Sequence, residues 1–348
     1  MSRHCFTFSL AVALLAVPPI LAQAPDSVKK IRTTKFFDSE EPVSVTLSLN
    51  LKRIRADKVD GAPWRSATLT YAGEGKSVDI PIKARTRGIW RLKNCEFPPL
   101  RLDLPNKAAQ GTPFEGLNKP KLVSYCKNND TFEQYVLQEF QLYRAYGLLT
   151  PMSHRARLLR VTYADSATGK PITTRYAIML EEPDMMASRL DGIILEQQGA
   201  RSHDLDPGST NLAGVFQYFI ANTDYSVAWL HNFELVARPD GQIIPVAYDF
   251  DFAGAVNAAY ATVDPSLSVR DVRDRLFRGF CVPEEHYGKT FDLFKKKRDA
   301  IYGLYNDKLG KLLDKKVAAE TLKFYDDFYQ TISDPRLAKR RIVDACRE

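Results

Sequence analysis

Between Phe219 and Gly254 the chain places Asn222, Asp224, His231, Asn232, Asp249 and Asp251 in one short stretch. Asn222 and Asp224 close an apolar helical pattern that begins near Ser209. Phe233 to Ala237 reads as a strand, Pro239-Asp240-Gly241 as a turn, and Ile243 to Phe252 as a second strand, because β-rich runs flanking a Pro/Asp/Gly cluster signal a hairpin. Alternate side chains of a strand share a face, so Asp249 and Asp251 are expected to project together, toward the side where Asp224 and Asn232 lie. Asn and Asp also favour turns and helix caps, so Asn222-Thr223-Asp224 alone reads more readily as a helix end. The paired aspartates carry more information, since two like charges on one face repel unless a cation stands between them. This is a divalent-cation site in outline.

Further candidates lie upstream. Arg85 and Arg87 share one face of a strand ending at Gly88, where they could contact phosphate, pair with acids, or form a solvated edge. Lys121 precedes a short apolar strand, and Glu181-Glu182-Pro183 ends another. Lys339, Arg340 and Arg341 form a small basic cluster near the end of the chain, most simply a solvated face.

The elements that must position these groups follow from periodicity. Val43 to Ile54, Ala67 to Tyr71, Val78 to Ala84 and Phe97 to Leu104 alternate as strands of an expected antiparallel sheet. Asp130 is expected to cap a helix with Glu133 three residues on, and Phe132, Tyr135, Val136, Phe140 and Tyr143 continue at helical spacing until Gly147. Arg157 to Tyr163 and Thr174 to Leu180 flank a turn at Asp165 to Gly169. Phe291 to Leu313 and Val317 to Ile332 read as two C-terminal helices. The expected division is a β-rich part with one helix over 25–182 and a mainly helical part over 183–348 carrying the 219–254 segment.

The 348 residues suffice for one large or two modest domains, and 26% charged with 45% hydrophobic residues excludes a fibrous or disordered chain. A formal charge of +7 favours anionic partners without selecting a class, and nothing points to nucleic acid. Residues 1–24 read as a signal peptide, with Arg3, an apolar run from Phe6 to Leu21, and small residues at Ala22 and Ala24. No later stretch is long and apolar enough to span a bilayer. The protein is therefore expected to be exported, periplasmic or secreted. Cys95, Cys126, Cys281 and Cys346 would remain in that oxidising setting. Pairing Cys95 with Cys126 and Cys281 with Cys346 is favoured because each pair falls within one part of the chain; free buried thiols are the alternative.

The order of these features resembles the secreted atypical kinases named for spore coat protein H, the CotH-like kinases. Arg85-Thr-Arg-Gly88 resembles that family's R-x-R-G strand, Tyr176 to Glu182 its Y-x-L-x-E connector, Asn222-Thr-Asp224 with His231-Asn232 its N-x-D…N segment, and Tyr248-Asp-Phe-Asp251 with Gly254 its W-D-x-D…F-G segment. Tyr248 stands where the family has tryptophan, and Lys121-Leu-Val only loosely matches its lysine segment. The resemblance implies an α+β, atypical protein-kinase-like two-lobe fold with a β-rich N-lobe and a mainly helical C-lobe. It also implies transfer of the ATP γ-phosphate to an exported or cell-envelope protein with Mg²⁺ or Mn²⁺. Asp224 would orient the acceptor hydroxyl and take its proton, and Asn232, Asp249 and Asp251 would hold the cation. Lys121, with Arg85 or Arg87, would meet the phosphates, and Glu181 or Glu182 would lie where the connector meets the adenine. The rival readings are a catalytically inactive pseudokinase serving as a binding or structural protein, and a metal-dependent phosphoesterase.

Overall fold

The computed structural model describes residues 34–348 with the exception of Glu74; the expected signal peptide lies outside the described residues. The strands are β1 (Val43–Leu49), β2 (Arg65–Gly73), β3 (Lys76–Thr86), β4 (Leu100–Asp103), β5 (Lys121–Val123), β6 (Ala156–Asp165), β7 (Pro171–Leu180), β8 (Ile193–Leu195), β9 (Phe233–Ala237) and β10 (Ile243–Ala247). The helices are α1 (Leu51–Ala56), α2 (Trp90–Asn94), α3 (Asn106–Ala109), α4 (Asp130–Leu149), α5 (Pro183–Arg189), α6 (Pro207–Ile220), α7 (Glu284–Gly303), α8 (Lys315–Ser333) and α9 (Pro335–Ala338).

The first seven strands close into a barrel in the order β1-β2-β3-β4-β5-β7-β6. Alternation builds it: Leu47, Leu49, Leu69, Ile80, Ile82, Leu100, Leu102 and Leu122 are buried in one cluster, while the intervening Ser, Thr and Lys side chains face outward. Closure comes from β1 pairing in parallel with β6, Val43 opposite Leu159 through Leu49 opposite Asp165. The expected two-lobe kinase-like fold is corrected by this. The sheet closes on itself, leaving no open edge, and the remaining strands β8, β9 and β10 form a separate three-stranded sheet among the helices.

Around Leu158–Leu159 of β6 and Ala177–Leu180 of β7 the strands are apolar on both faces, as segments covered on both sides must be. Leu159, Val161, Ala177 and Met179 fill the barrel, whereas Leu158, Ile178 and Leu180 join the cluster of α4, α6, α7 and α8. The α4 helix packs on this outer face as its periodicity predicts. Its cap is Asn129, whose side chain accepts from the Phe132 amide, one residue before the expected Asp130, and the helix continues through Gly147 to Leu149. Buried Phe216, Phe219, Phe294, Tyr325 and Phe328 make the helical core, with the Phe219 and Tyr325 rings 4.3 Å apart.

In the small sheet β9 is central, and Pro245, which cannot donate to a ladder, lies in the edge strand β10. Both favoured disulfides form, Cys95–Cys126 and Cys281–Cys346. Among the described residues no helix is long and apolar enough to cross a membrane.

Candidate functional site

The expected second strand of the hairpin stops early. It ends at Ala247, so Asp249 and Asp251 lie beyond it in a turn, and the shared-face argument does not hold. Asp249 instead takes a left-handed backbone with φ of 62°. Of the described non-glycine residues with positive φ, Ala221, Leu230, Asn232, Asp249 and Asn257 all fall in this region and only Asp191 lies elsewhere. Asn and Asp tolerate that conformation; Leu230 and Ala221 carry a real steric cost, and such strain concentrates where the surroundings hold a functional geometry.

The left-handed Ala221 ends α6 and turns the chain into Asn222. The Asn222 side chain then accepts from the Asp224 amide at 3.0 Å, fixing the turn that presents Asp224. The Asp224 Oδ1 meets His231 Nε2 at 2.9 Å, and Asn232 Nδ2 donates to the Asp224 carbonyl at 2.6 Å and to its Oδ2 at 3.2 Å. Hydrogen bonding to Asp224 is the main reason the His231 pKa lies above its ordinary value. Asp224 and His231 open onto a cleft of about 320 Å³ shared with Trp229, Asp264 and Arg278. The Arg278 guanidinium donates to the Thr223 carbonyl behind them.

Behind Asp249 lies a buried acidic pair, Asp251 and Glu139, of which the sequence reading missed Glu139. Asp251 is 5% exposed, and its carboxylate accepts from the Tyr260 hydroxyl at 3.0 Å. Burial first, then the neighbouring Asp249, pushes the Asp251 pKa up to about 7. Glu139 on α4 is 1% exposed and is raised by burial and by Asp251 and Asp249. Its Oε1 has no hydrogen-bond partner. Arg91 of α2 supplies the opposing charge: burial would lower its pKa, but Tyr260, then Asp251, Glu139 and Asp249, outweigh burial and raise it. A signal for Glu139 was available, because it falls three residues after Val136 and four before Tyr143, on the apolar stripe of α4.

On the other side of Asp249, Lys121 of β5 reaches Glu234 of β9 at 3.6 Å and lies over the Tyr248 ring at 4.3 Å. Burial lowers the Lys121 pKa, opposed by Glu234 and Asp249 and assisted by nearby Arg87. Burial would raise Glu234, but His154, at 2.8 Å from its Oε2, and Lys121 hold it below its ordinary value. The charge of Asp249 thus reaches Lys121, His231, Asp251, Glu139 and Arg91.

The structure therefore gathers Lys121, Arg87, Asp224, Asn232, Asp249 and Asp251, and leaves three expected residues apart. Arg85 stacks on Trp64 at 4.5 Å. Glu181, fully buried, accepts from Arg155 Nε at 2.9 Å and from Arg189 Nη2 at 2.8 Å, and its own carbonyl bonds His154 Nδ1. Glu182 Oε1 accepts from the Asn118 amide at 2.8 Å. Both glutamates are committed to the joint between β7 and α5 rather than to a ligand.

Among the described residues no three His, Cys, Asp or Glu side chains form a ready-made metal-binding group. The orphaned Glu139 Oε1 beside the two mutually repelling aspartates is nevertheless the arrangement a cation would relieve. Mg²⁺ commonly takes one or two carboxylates and completes its shell with substrate phosphates and water, so an incomplete protein set fits such an ion better than a closed cage. No protein-family model matches the chain, and no curated protein matches it.

Proposed function

We propose that the chain is an exported phosphotransferase that uses a nucleoside triphosphate, ATP being the expected one, and a divalent cation to phosphorylate a hydroxyl group on a protein acceptor. One observation carries this reading: Asp249 lies within electrostatic reach of Lys121, which has Arg87 nearby, of the buried Asp251 and Glu139, and of His231, which is hydrogen-bonded to Asp224. Cationic side chains for phosphate, oxygen ligands for a cation, and a carboxylate open to an acceptor are what phosphoryl transfer requires, since that chemistry depends on positioning and charge neutralisation. The oxygen ligands for Mg²⁺ or Mn²⁺ would be Asp249 and Asp251, with Asn232 through its Oδ1, because its nitrogen is committed to Asp224. The bound ion would neutralise phosphate charge.

Lys121 and Arg87 would bind the phosphate oxygens. The acceptor hydroxyl would enter the cleft at Asp224, whose carboxylate takes its proton as the acceptor oxygen bonds the γ-phosphorus. The bond from the γ-phosphorus to the bridging oxygen breaks, and ADP leaves with the electron pair. His231 would orient Asp224. The CotH-like resemblance of the same residues supports these roles, and the two disulfides are compatible with export.

The test is incubation of the pure protein with γ-labelled ATP and Mn²⁺, with and without protein acceptors. Transfer of label to protein is the expected result. Release of free phosphate alone supports a phosphoesterase, and binding without turnover supports an inactive binding protein; either outcome overturns the proposal.

A further inference from the structure

The basic cluster near the end of the chain is solvent-exposed, as expected, and part of it also borders a cleft. A π-helical turn over Lys339–Val343 follows α9, and it brings Arg340 and Arg341 to the rim of a second cleft, of about 670 Å³. Its lining also includes Arg273 and Arg275. The two acids lining it are Asp274 and Asp327, so the lining bears four arginines against two carboxylates. Asp274 already accepts from the backbone amides of Arg270 and Asp271.

Among the described residues none of the four arginines has a carboxylate within ion-pair distance. Arg275 binds only neutral acceptors, the carbonyls of Phe219 and Phe324, and lies 3.8 Å over the Phe324 ring. Arg273 lies over the same ring from 4.4 Å. Burial with no full counter-charge pulls the Arg275 pKa down to about 10. Arg275 and Arg341 both lie near the Tyr218 hydroxyl, although they come from segments far apart in sequence.

The cleft walls are fixed to one another. Cys281 is bonded to Cys346, the Cys281 amide donates to the Arg347 carbonyl, and the Arg347 amide donates to the Gly279 carbonyl. The loop carrying Arg273 and Arg275 is thereby stapled to the tail carrying Arg340 and Arg341. A preformed cleft of several hundred cubic ångströms is the ordinary size of a small-molecule site. Planar guanidinium forks suit phosphate oxygens in particular.

We infer that this cleft binds a small phosphate-bearing anion of charge two or more, whose negative groups supply the counter-charge that the four arginines lack among the described residues, where their hydrogen bonds go only to neutral acceptors such as the Gly254 carbonyl and the Thr331 hydroxyl. The excess of two positive charges in the lining matches such an anion better than a monocarboxylate. The site lies apart from Lys121 and Asp249, so the inference stands or falls independently of the proposed transfer reaction.

The experiment is calorimetric titration of the full chain with inorganic pyrophosphate in the absence of divalent cations. Lys121→Met serves as the reference protein, so that the lysine contact to phosphate at the other site does not contribute. The reference is expected to bind pyrophosphate. Adding Arg340→Ala and Arg341→Ala, both exposed, should weaken binding by roughly tenfold or more, as loss of charged hydrogen bonds implies. Adding Arg273→Gln instead removes a contact from a different segment of the lining and should weaken binding too, which excludes a disturbed tail as the cause. Absence of binding to the reference, or unchanged binding in both sets of variants, overturns the inference.

Discussion

The Lys121 ammonium lies 3.6 Å from the Glu234 carboxylate and 4.3 Å above the Tyr248 ring. The contact ties barrel strand β5 to the small sheet, immediately before Asp249. Lys121 is thus a half-buried tether as well as a candidate phosphate contact. Its side chain is 13% exposed, so removing the charge leaves Glu234 with His154 alone. Lys121→Met is expected to cost about 1–3 kcal/mol, the penalty for leaving a buried polar partner unpaired. Urea unfolding measures that cost, and nucleotide titration of the folded variant measures the second role. An unchanged ATP affinity would remove Lys121 from the phosphate site.

Glu181 makes the clearest acid-sensitive contact. Burial alone would raise its pKa, but Arg189 and Arg155 outweigh burial and hold it below the ordinary 4.5. A carboxyl depressed in the folded state binds fewer protons there than in the unfolded chain, so its stabilisation is full above pH 4.5 and is lost as pH falls through the folded value. Glu181→Gln should cost on the order of 3 kcal/mol at neutral pH, the low end for a broken buried pair because both arginines keep some water contact. It should also flatten the fall of stability below about pH 4.5. Thermal melts from pH 3 to pH 7 provide the comparison; a variant that retains the native acid slope would assign the slope to other groups.

The sequence disclosed the pieces whose signal is local. The alternation expected over Val43 to Ile54 appears as a strand only to Leu49, Leu51 to Ile54 falling in α1 instead, while the apolar stripe of Val136, Phe140 and Tyr143 appears as the expected helix. Barrel closure was not legible, because nothing in the alternation of β1 specifies a parallel partner as distant in sequence as β6. The Asp249–Asp251 geometry was misread for a related reason. Alternation inside a strand says nothing once the backbone turns left-handed after Ala247. Arg91 gave no signal at all: it belongs to a short polar helix, and only the tertiary fold sets it beside Asp251 and Glu139.

Two crosslinks hold segments that carry functional groups. Cys95–Cys126 spans 31 residues and follows the helix bearing Arg91, while Cys281–Cys346 spans 65 and fixes the arginine-lined cleft. Loops of this size are expected to contribute about 3–4 kcal/mol each. Thiol counting on unreduced, denatured protein should find no reactive cysteine among the four. Reductant should lower the melting temperature by several degrees; four reactive thiols before reduction would show that neither bond forms in solution.

Close packing also constrains the turn after Asp251. A Cβ on Gly254 would fall 2.3 Å from the Val272 carbonyl oxygen and 2.8 Å from the Arg273 Cα, and backbone cannot give way as a flexible side chain does. Gly254→Ala is therefore expected to destabilise by about 1–3 kcal/mol or more through overpacking. A denaturant midpoint equal to that of the native protein would mean that the 272–273 segment moves freely.

His231 and Asp224 should separate by their pH behaviour. The hydrogen bond to Asp224 raises the His231 pKa above 6.5, so His231 keeps its proton to higher pH than a free imidazole, and the protonated ring draws on the carboxylate that must accept the hydroxyl proton. Its contribution to stability is fully present below pH 6.5 and lost as pH rises through the folded value, and is small because both groups are substantially exposed. Phosphate transfer should instead rise through that same pH range. His231→Ala should remove this inflection and lower kcat more than it changes KM, whereas Asp224→Asn should lower kcat by roughly 10²–10⁴-fold at every pH. An inflection that survives in His231→Ala would belong to another group.

Asp249→Asn gives the most demanding test, because the structure ties opposite expectations to one substitution. Asparagine accepts the left-handed backbone that Asp249 adopts, so the turn should survive. Losing the charge removes the repulsion that raises Asp251 and Glu139, and the variant should melt above the native protein when no divalent cation is present. With Mn²⁺ and ATP added, the native protein should gain stability in proportion to its affinity for them. The variant should gain little, having lost a cation ligand, and its transfer activity should fall with that affinity. The two melting curves should therefore cross in order as Mn²⁺ is added with ATP held constant. A variant that is less stable than the native protein without cation would mean that Asp249 is held by attraction to Lys121 and Arg91 more than it is strained by Asp251. One that gains as much from Mn²⁺ and ATP as the native protein would remove Asp249 from the cation site.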